Sequence, residues 1–262
     1  MKTKRLAIIL SVLIFLTIII VLCSAVFTVQ NISVNWLTKP NVLTVDDNED
    51  IISSSKIKMN SSVFTLKKQQ YIENIEKSKS YIEVVKIEVK FPNKVVIHAR
   101  EREPYFYLNL GNSDYAILDK ELKVLELTND LQNYIKLFGI SPCELAVDSS
   151  MIANLNLSRG DFLNIAYTSM FKGITEYLQE LNYDTLKAKN TFKTFMLKNN
   201  NLYVYTNLGL NIYINNVNDN LNKKLLYGVS AYEQYKDSYS TGTILCYSNN
   251  FYLTNEDISK YI

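Results

Sequence analysis

Tyr81 to Pro104 reads YIEVVKIEVKFPNKVVIHAREREP, two alternating runs hinged at Phe91-Pro92-Asn93 and closed by Glu101-Arg102-Glu103-Pro104. In the first run Val85, Ile87, Val89 and Phe91 fall on one side and Lys86, Glu88 and Lys90 on the other, the period of two that marks a half-buried antiparallel strand. The second run repeats the pattern, with Val95, Ile97 and Ala99 against His98, Arg100 and Arg102. Proline fixes its own φ and lacks an N–H, so Pro92 suits the turn and Pro104 cannot continue a central ladder. The stretch predicts one β-hairpin whose polar side, Lys86, Glu88, Lys90, Arg100 and Arg102, forms an exposed surface.

Upstream, Val29 to Trp36 is β-prone and predicts a strand ended by Pro40. Asp47 is placed to cap a short helix through Ile51 and Ile52, and Thr65 a second carrying Ile72 and Ile75, broken at Ser78 to Ser80. The order is βααββ, and two helices on one face of a three-stranded sheet would bury the apolar sides of all five elements. This first exterior domain is expected over residues 30–103.

Before it, Leu6 to Val29 is an apolar run without a charge, long enough to cross roughly 30 Å of hydrocarbon. Lys2, Lys4 and Arg5 precede it, which puts the amino terminus in the cytoplasm and the remainder outside, a single-pass type II arrangement. A cleaved signal peptide is the competing reading. The run exceeds the about 7–15 apolar residues usual there and ends without a clean small-x-small site, which favours a retained anchor. Residues 1–5 are then a cytoplasmic tail and 6–29 a transmembrane helix. Cys23 follows Leu22 rather than a small residue, which argues against lipidation.

After Pro104 the texture changes. Strand-like runs at Tyr105–Leu110, Tyr115–Leu118, Val124–Leu127 and Tyr134–Phe138 alternate with polar turns. Ser158 or Asp161 is expected to open a helix bearing Phe162, Ile165, Ala166, Phe171, Ile174, Tyr177, Leu178 and Leu181. Phe195–Leu197, Leu202–Tyr205 and Leu210–Ile214 read as strands joined by Asn199-Asn200-Asn201 and Asn207-Leu208-Gly209. Leu221, Leu225, Val229 and Tyr232 mark a last helix, and Gly242–Tyr247 and Asn250–Thr254 two closing strands. The fold class is α+β: an anchor, a βααββ domain, then a mostly β domain with two helices over 104–254 and a short tail, 255–262.

Charge and chemistry exclude several functions. Of 28 basic residues three precede the apolar run, leaving 25 against 26 acidic ones, so nothing suggests a nucleic-acid footprint. Lys56 to Pro104 is locally basic, with eleven basic and six acidic residues, a face for acidic lipid, an acidic partner or simply solvent. His98 is the sole histidine, so a catalytic triad or multi-histidine metal site has no natural assembly, and it reads as a solvated strand residue. No carboxylate stands alone in an apolar run as a raised-pKa acid would. Neither an enzyme nor a cofactor, metal or small-molecule ligand is expected. Cys143 and Cys246 read as buried thiols, with a disulfide as the alternative outside the cytoplasm. Arg159-Gly160-Asp161 spells an adhesion tripeptide but is equally an ordinary helix start. The 19 tyrosines, all beyond the apolar run, suit either interfaces or strands.

Together these features resemble the bacterial cell-division family FtsQ/DivIB. The likeness is carried by Ile52–Ser55, Ile57-Lys58, Val63-Phe64-Thr65-Leu66, Phe91-Pro92-Asn93, Val95–Ile97, Glu101-Arg102-Glu103-Pro104 and Tyr115–Asp119. Farther on it thins to Leu208-Gly209, Lys223-Lys224-Leu225 and Gly242-Thr243-Ile244. Glycines common in the family after the first strand and before the Asn-x-Phe step are absent, with Trp36 and Met59-Asn60 in their places. The resemblance implies a POTRA domain, a non-catalytic role in septation, and a β domain whose final strands bind FtsB/DivIC-type and FtsL-type membrane proteins and, through them, the septal wall-synthase complex.

Independently, a terminal strand at a sheet edge exposes N–H and C=O groups to another chain's strand, although such a strand also simply closes a sheet. The residues expected at a partner contact are Ile244, Tyr247, Phe251, Tyr252 and Leu253. A membrane-anchored sensor or a wall-binding module is the alternative function.

Overall fold

The computed structural model describes residues 10–18, 26–38, 48–139, 141–153, 155–248 and 250–262. The chain divides into two compact units, Met1–Glu101 and Arg102–Ile262.

In the first unit β1 (Asn31–Trp36), α1 (Asn48–Ser55), α2 (Lys68–Ser78), β2 (Ile82–Lys90) and β3 (Lys94–Glu101) follow one another in the order the hairpin implies. The sheet order is β1-β3-β2, with β1 parallel and β2 antiparallel to β3. Ile51 of α1 and Ile75 of α2 are fully buried against Val84, Ile87, Val95, Ile97 and Ala99, so the helices cover one face of the sheet. Glu49 and Asp50 in the first turn of α1 favour its dipole. The Phe91–Pro92 peptide at the hairpin turn is cis.

Three expectations need correction here. A register shift between Val84 and Lys86 turns Val85 outward, 45% exposed, and brings Val84 into the core instead, because a bulge breaks strict alternation. Thr65 caps no helix. It lies in a 3-10 turn, Val63–Thr65, capped by Ser62, and α2 begins at Lys68. Val29, expected at the end of the membrane helix, is fully buried in this core, and its N–H donates to Ser61 O at 2.8 Å. Residues 10–18 are helical with exposed apolar side chains, but no helix among the described residues is long and apolar enough to cross a membrane. The rest of the expected anchor up to residue 25, with Cys23, lies outside the described residues, as do Pro40 and the Asp47 cap.

The second unit holds a mixed nine-stranded sheet in the order β12-β11-β10-β9-β8-β7-β4-β5-β6. Its strands are β4 (Phe106–Gly111), β5 (Asp114–Leu118), β6 (Val124–Thr128), β7 (Cys143–Ala146), β8 (Phe192–Lys198), β9 (Asn201–Thr206), β10 (Leu210–Ile214), β11 (Gly242–Cys246) and β12 (Phe251–Thr254). Helices α3 (Leu131–Phe138), α4 (Ser149–Ile152), α5 (Thr168–Glu180), α6 (Thr185–Thr191) and α7 (Leu221–Tyr235) make five described helices rather than two. Phe171, Ile174 and Leu178 of α5 and Leu225, Val229 and Tyr232 of α7 share one core with the strands.

Tyr134–Phe138, expected as a strand, belongs to α3. Asp130 caps that helix by accepting from Asn133 N–H, and Gly139 ends it at φ 63°. Helix α5 starts at Thr168, not near Asp161, and Phe162 is exposed, because Ser158–Leu163 runs beside β6 instead. The tail is not a tail: Ile258–Tyr261 forms a 3-10 turn with Ile258 fully buried. Cys143 and Cys246 are free, buried thiols, and burial pushes both up to about 12.

Candidate functional site

At one end of the large sheet, β10 and β11 run parallel, joined by α7 on the core face. Parallel neighbours require such a crossover. Lys224 of α7 is wholly buried and donates to the carbonyls of Asn215 at 2.8 Å and Asn216 at 3.1 Å, tying the β10–α7 connection down. Strand β12 returns antiparallel along β11, pairing Thr243 with Thr254, Ile244 with Leu253, Leu245 with Tyr252 and Cys246 with Phe251. The Tyr247 N–H donates to Asn250 O at 3.0 Å. In an antiparallel ladder bonded and non-bonded pairs alternate, so Tyr252 and Thr254 bond inward while the N–H and C=O of Phe251 and Leu253 point to the open side. Among the described strands none lies beyond β12.

The opposite edge is treated differently. Val124 of β6 exchanges backbone hydrogen bonds of 2.8 Å with Gly160 and Asp161, and Leu163 N–H donates to Leu122 O, so a loop covers the start of that edge. The Arg159-Gly160-Asp161 tripeptide is part of this cover, with Arg159 Nε donating to Leu125 O at 3.3 Å. That edge is blunted at its start, whereas no described strand or backbone bond covers the outer side of β12.

Side chains of β12 divide between two faces. Phe251 and Leu253 pack half-buried on the core, whereas Tyr252 is 56% exposed. From Tyr252 a row of rings crosses the outer face: Tyr252 to Tyr247 at 6.0 Å, Tyr247 to Tyr213 at 6.4 Å, and Tyr213 to Tyr203 at 5.2 Å and Tyr261 at 5.5 Å. Burial, with Tyr203 and Tyr247 as neighbours, raises the Tyr213 hydroxyl above its usual range. The terminal turn closes the inner end, with the Tyr203 hydroxyl donating to Tyr261 O at 2.6 Å and the Thr243 hydroxyl to Glu256 O at 2.7 Å. Gly242 lets β12 lie close, since a Cβ there would stand 2.6 Å from Thr254 O.

Ile244, expected at a partner contact, is fully buried beneath this end of the sheet and offers no side chain to a partner. Tyr247, Phe251, Tyr252 and Leu253 do come together at the edge, Tyr252 presenting its ring and the two neighbours their backbone.

The expected surface of the first unit is largely engaged with itself. Arg100 donates twice to Glu83, at 2.8 and 2.7 Å, and Lys86 stands 3.6 Å from Glu88. His98 is buried rather than solvated: Asn35 Nδ2 donates to its Nδ1 at 3.0 Å, leaving Nε2–H to donate to Glu88 at 2.7 Å. The His98 hydrogen bond, followed by the nearby Lys86 and Lys90 charges, holds the Glu88 carboxyl below its usual range. Lys86 and Lys90 remain exposed. Arg102 was expected on this face but is buried in the second unit, 2.6 Å from Asp119 and 3.2 Å from Glu121. Alternation alone hid both, because it cannot reveal which polar side chain meets a partner on another strand.

Among the described residues no group of three or more His, Cys, Asp or Glu could hold a metal ion.

Residues 43–102 match the family model of the POTRA domain, FtsQ-type. The chain is 36% identical over 157 residues to the cell division protein DivIB of Clostridium botulinum (strain Hall), covering 58% of each chain. It is 37% identical over 95 residues to DivIB of Clostridium acetobutylicum, 36% of this chain and 37% of the relative. To DivIB of Clostridium tetani it is 30% identical over 132 residues, 48% of this chain and 49% of the relative. The matches thus cover 58% of the Clostridium botulinum relative and less than half of the other two.

Proposed function

We propose that this chain, a relative of the FtsQ/DivIB cell-division proteins with a POTRA domain of FtsQ type, is a non-catalytic scaffold that gathers membrane proteins of the septum on the open edge of its β domain. Its partners are single-span division proteins of the FtsB/DivIC and FtsL type and, through them, the septal wall-synthase complex. The observation that carries the reading is the backbone of Phe251 and Leu253, turned to the open side of β12 beside exposed Tyr252, at a sheet edge beyond which no described strand lies.

Mechanistically, a partner segment adds to β12 as a further strand. Backbone hydrogen bonds supply affinity, and side chains alternating along that strand meet Tyr252 and Tyr247 on the outer face. The apolar run that begins at Leu6 anchors the chain ahead of Phe27, with its bulk outside the cell, and confinement to the membrane plane raises the effective concentration of other anchored proteins.

Removing residues 250–262 is a poor test, because it also removes Ile258 and the Tyr261 contact that close the outer face. Tyr252→Lys alters an exposed ring, and Phe251→Pro compared with Phe251→Ala, which loses the same half-buried ring, isolates one outward N–H at the first residue of an edge strand, where proline is tolerated. Purification from crosslinked cells should recover the single-span partners with the unaltered chain and Phe251→Ala and lose them with Tyr252→Lys and Phe251→Pro, whose circular dichroism stays native. Equal recovery from all four would remove the edge from the reading.

A further inference from the structure

We infer that the first unit carries a second docking surface, a phenylalanine patch on lysine-bearing segments that rests on the interface of an anionic lipid bilayer. Phe27, Phe64 and Phe91 come from three separate segments yet form one cluster, with ring centroids 5.3, 5.7 and 6.1 Å apart. Phe64 is 67% and Phe91 63% exposed, and Val26, which precedes Phe27 in the chain, is exposed as well. Three large rings held together in water are unfavourable unless something covers them.

Their placement is built rather than incidental. Val63 N–H donates to Phe27 O at 3.0 Å, Asn60 N–H to Val29 O at 2.8 Å, and Gln30 N–H to Asn93 O at 2.9 Å. Asn93 Nδ2 adds a bond to Gln30 Oε1 at 2.8 Å. The end of the apolar run, the 3-10 turn and the β2–β3 turn are thereby locked to one another.

Two observations select lipid as the occupant. Phe27 lies within the charge-free run Leu6–Val29, so the cluster stands where that run ends, and this inference rests on the run being the membrane anchor. The segments carrying the rings have lysines, Lys58, Lys67, Lys90 and Lys94, and no acid at all over 26–45, 51–72 and 89–100. Aromatic rings at the headgroup level on segments that carry lysines and no acids match an anionic bilayer surface, whereas an unlike-charged protein partner would need no continuity with the span.

The test uses the full chain reconstituted in vesicles of phosphatidylglycerol and phosphatidylcholine with brominated acyl chains. In a Trp36→Phe background, Phe64→Trp and Phe91→Trp each report one position; the unaltered chain reports Trp36, at the far end of β1. Emission at positions 64 and 91 should be blue-shifted and quenched, more strongly with phosphatidylglycerol than without, while Trp36 keeps its emission. A chain that floats with the vesicles but shows no quenching at either position overturns the patch and leaves the anchor standing. A chain that does not float overturns the anchor and the patch with it.

Discussion

Arg102 sits in a pocket where its charge is matched by Asp119, whose other carboxylate oxygen accepts from the N–H groups of Glu121 at 2.9 Å and Lys123 at 2.8 Å. Burial raises the Asp119 carboxyl and the Arg102 charge lowers it again, so the acid depends on its partner. Arg102→Ala should cost about 3–5 kcal/mol in denaturant unfolding, and Arg102→Met with Asp119→Leu much less, because the penalty is the stranded charge rather than the lost pair. Glu233 offers a pH signature. Burial pushes its carboxyl up, but hydrogen bonds from Lys236, Tyr183 and Lys187 outweigh that and hold it at about 2. A depressed carboxylate contributes stability above its unfolded pKa of about 4.3 and loses it as pH falls through the folded value. Stability should therefore decline between roughly pH 4.5 and 2 in part through this group, and Glu233→Gln should flatten that limb in urea titrations at stepped pH. At this scale the sequence is least legible: nothing near Arg102 or His98 announced burial, because each meets partners distant in sequence.

Helix α7 illustrates what elements require. A Cβ on Gly228 would lie 2.6 Å from Ile212 Cγ2 and 3.0 Å from Cys246 Sγ, so the helix touches β10 and β11 through a bare backbone. Gly228→Val should destabilise by about 1–3 kcal/mol through overpacking, measured as a lower urea midpoint. The terminal turn behaves as part of the sheet, and Ile258→Ala should cost about 2–4 kcal/mol for a fully buried side chain. Elements with their own local chemistry were legible. The hairpin of β2 and β3 was, and so was the β8–β9 turn, where Asn199 and Asn200 both take positive φ as a two-residue hairpin demands. Helix α3 was misread although Asp130 and Gly139 bracket it with a cap and a stop, since its short apolar run fits strand and helix alike. Strand β7, only Cys143–Ala146, was not recognised because four residues flanked by parallel neighbours carry no alternation of their own.

For the whole molecule, the βααββ unit follows from local patterning, while the nine-strand order depends on distant pairings such as β4 with β7 that no window of sequence contains. The open edge was legible as a terminal β-prone run; that a loop covers the start of the other edge, and that the tyrosines form a row leading to Tyr252, was not. The account stands on that asymmetry. A photo-crosslinking amino acid placed at position 252 in dividing cells tests it directly, with position 127 on β6 as the control edge, where Leu127 is 39% exposed. The account predicts adducts with single-span division proteins at 252 and none at 127. Adducts at 127 alone, or at neither position while the chain still copurifies with those proteins, would contradict it.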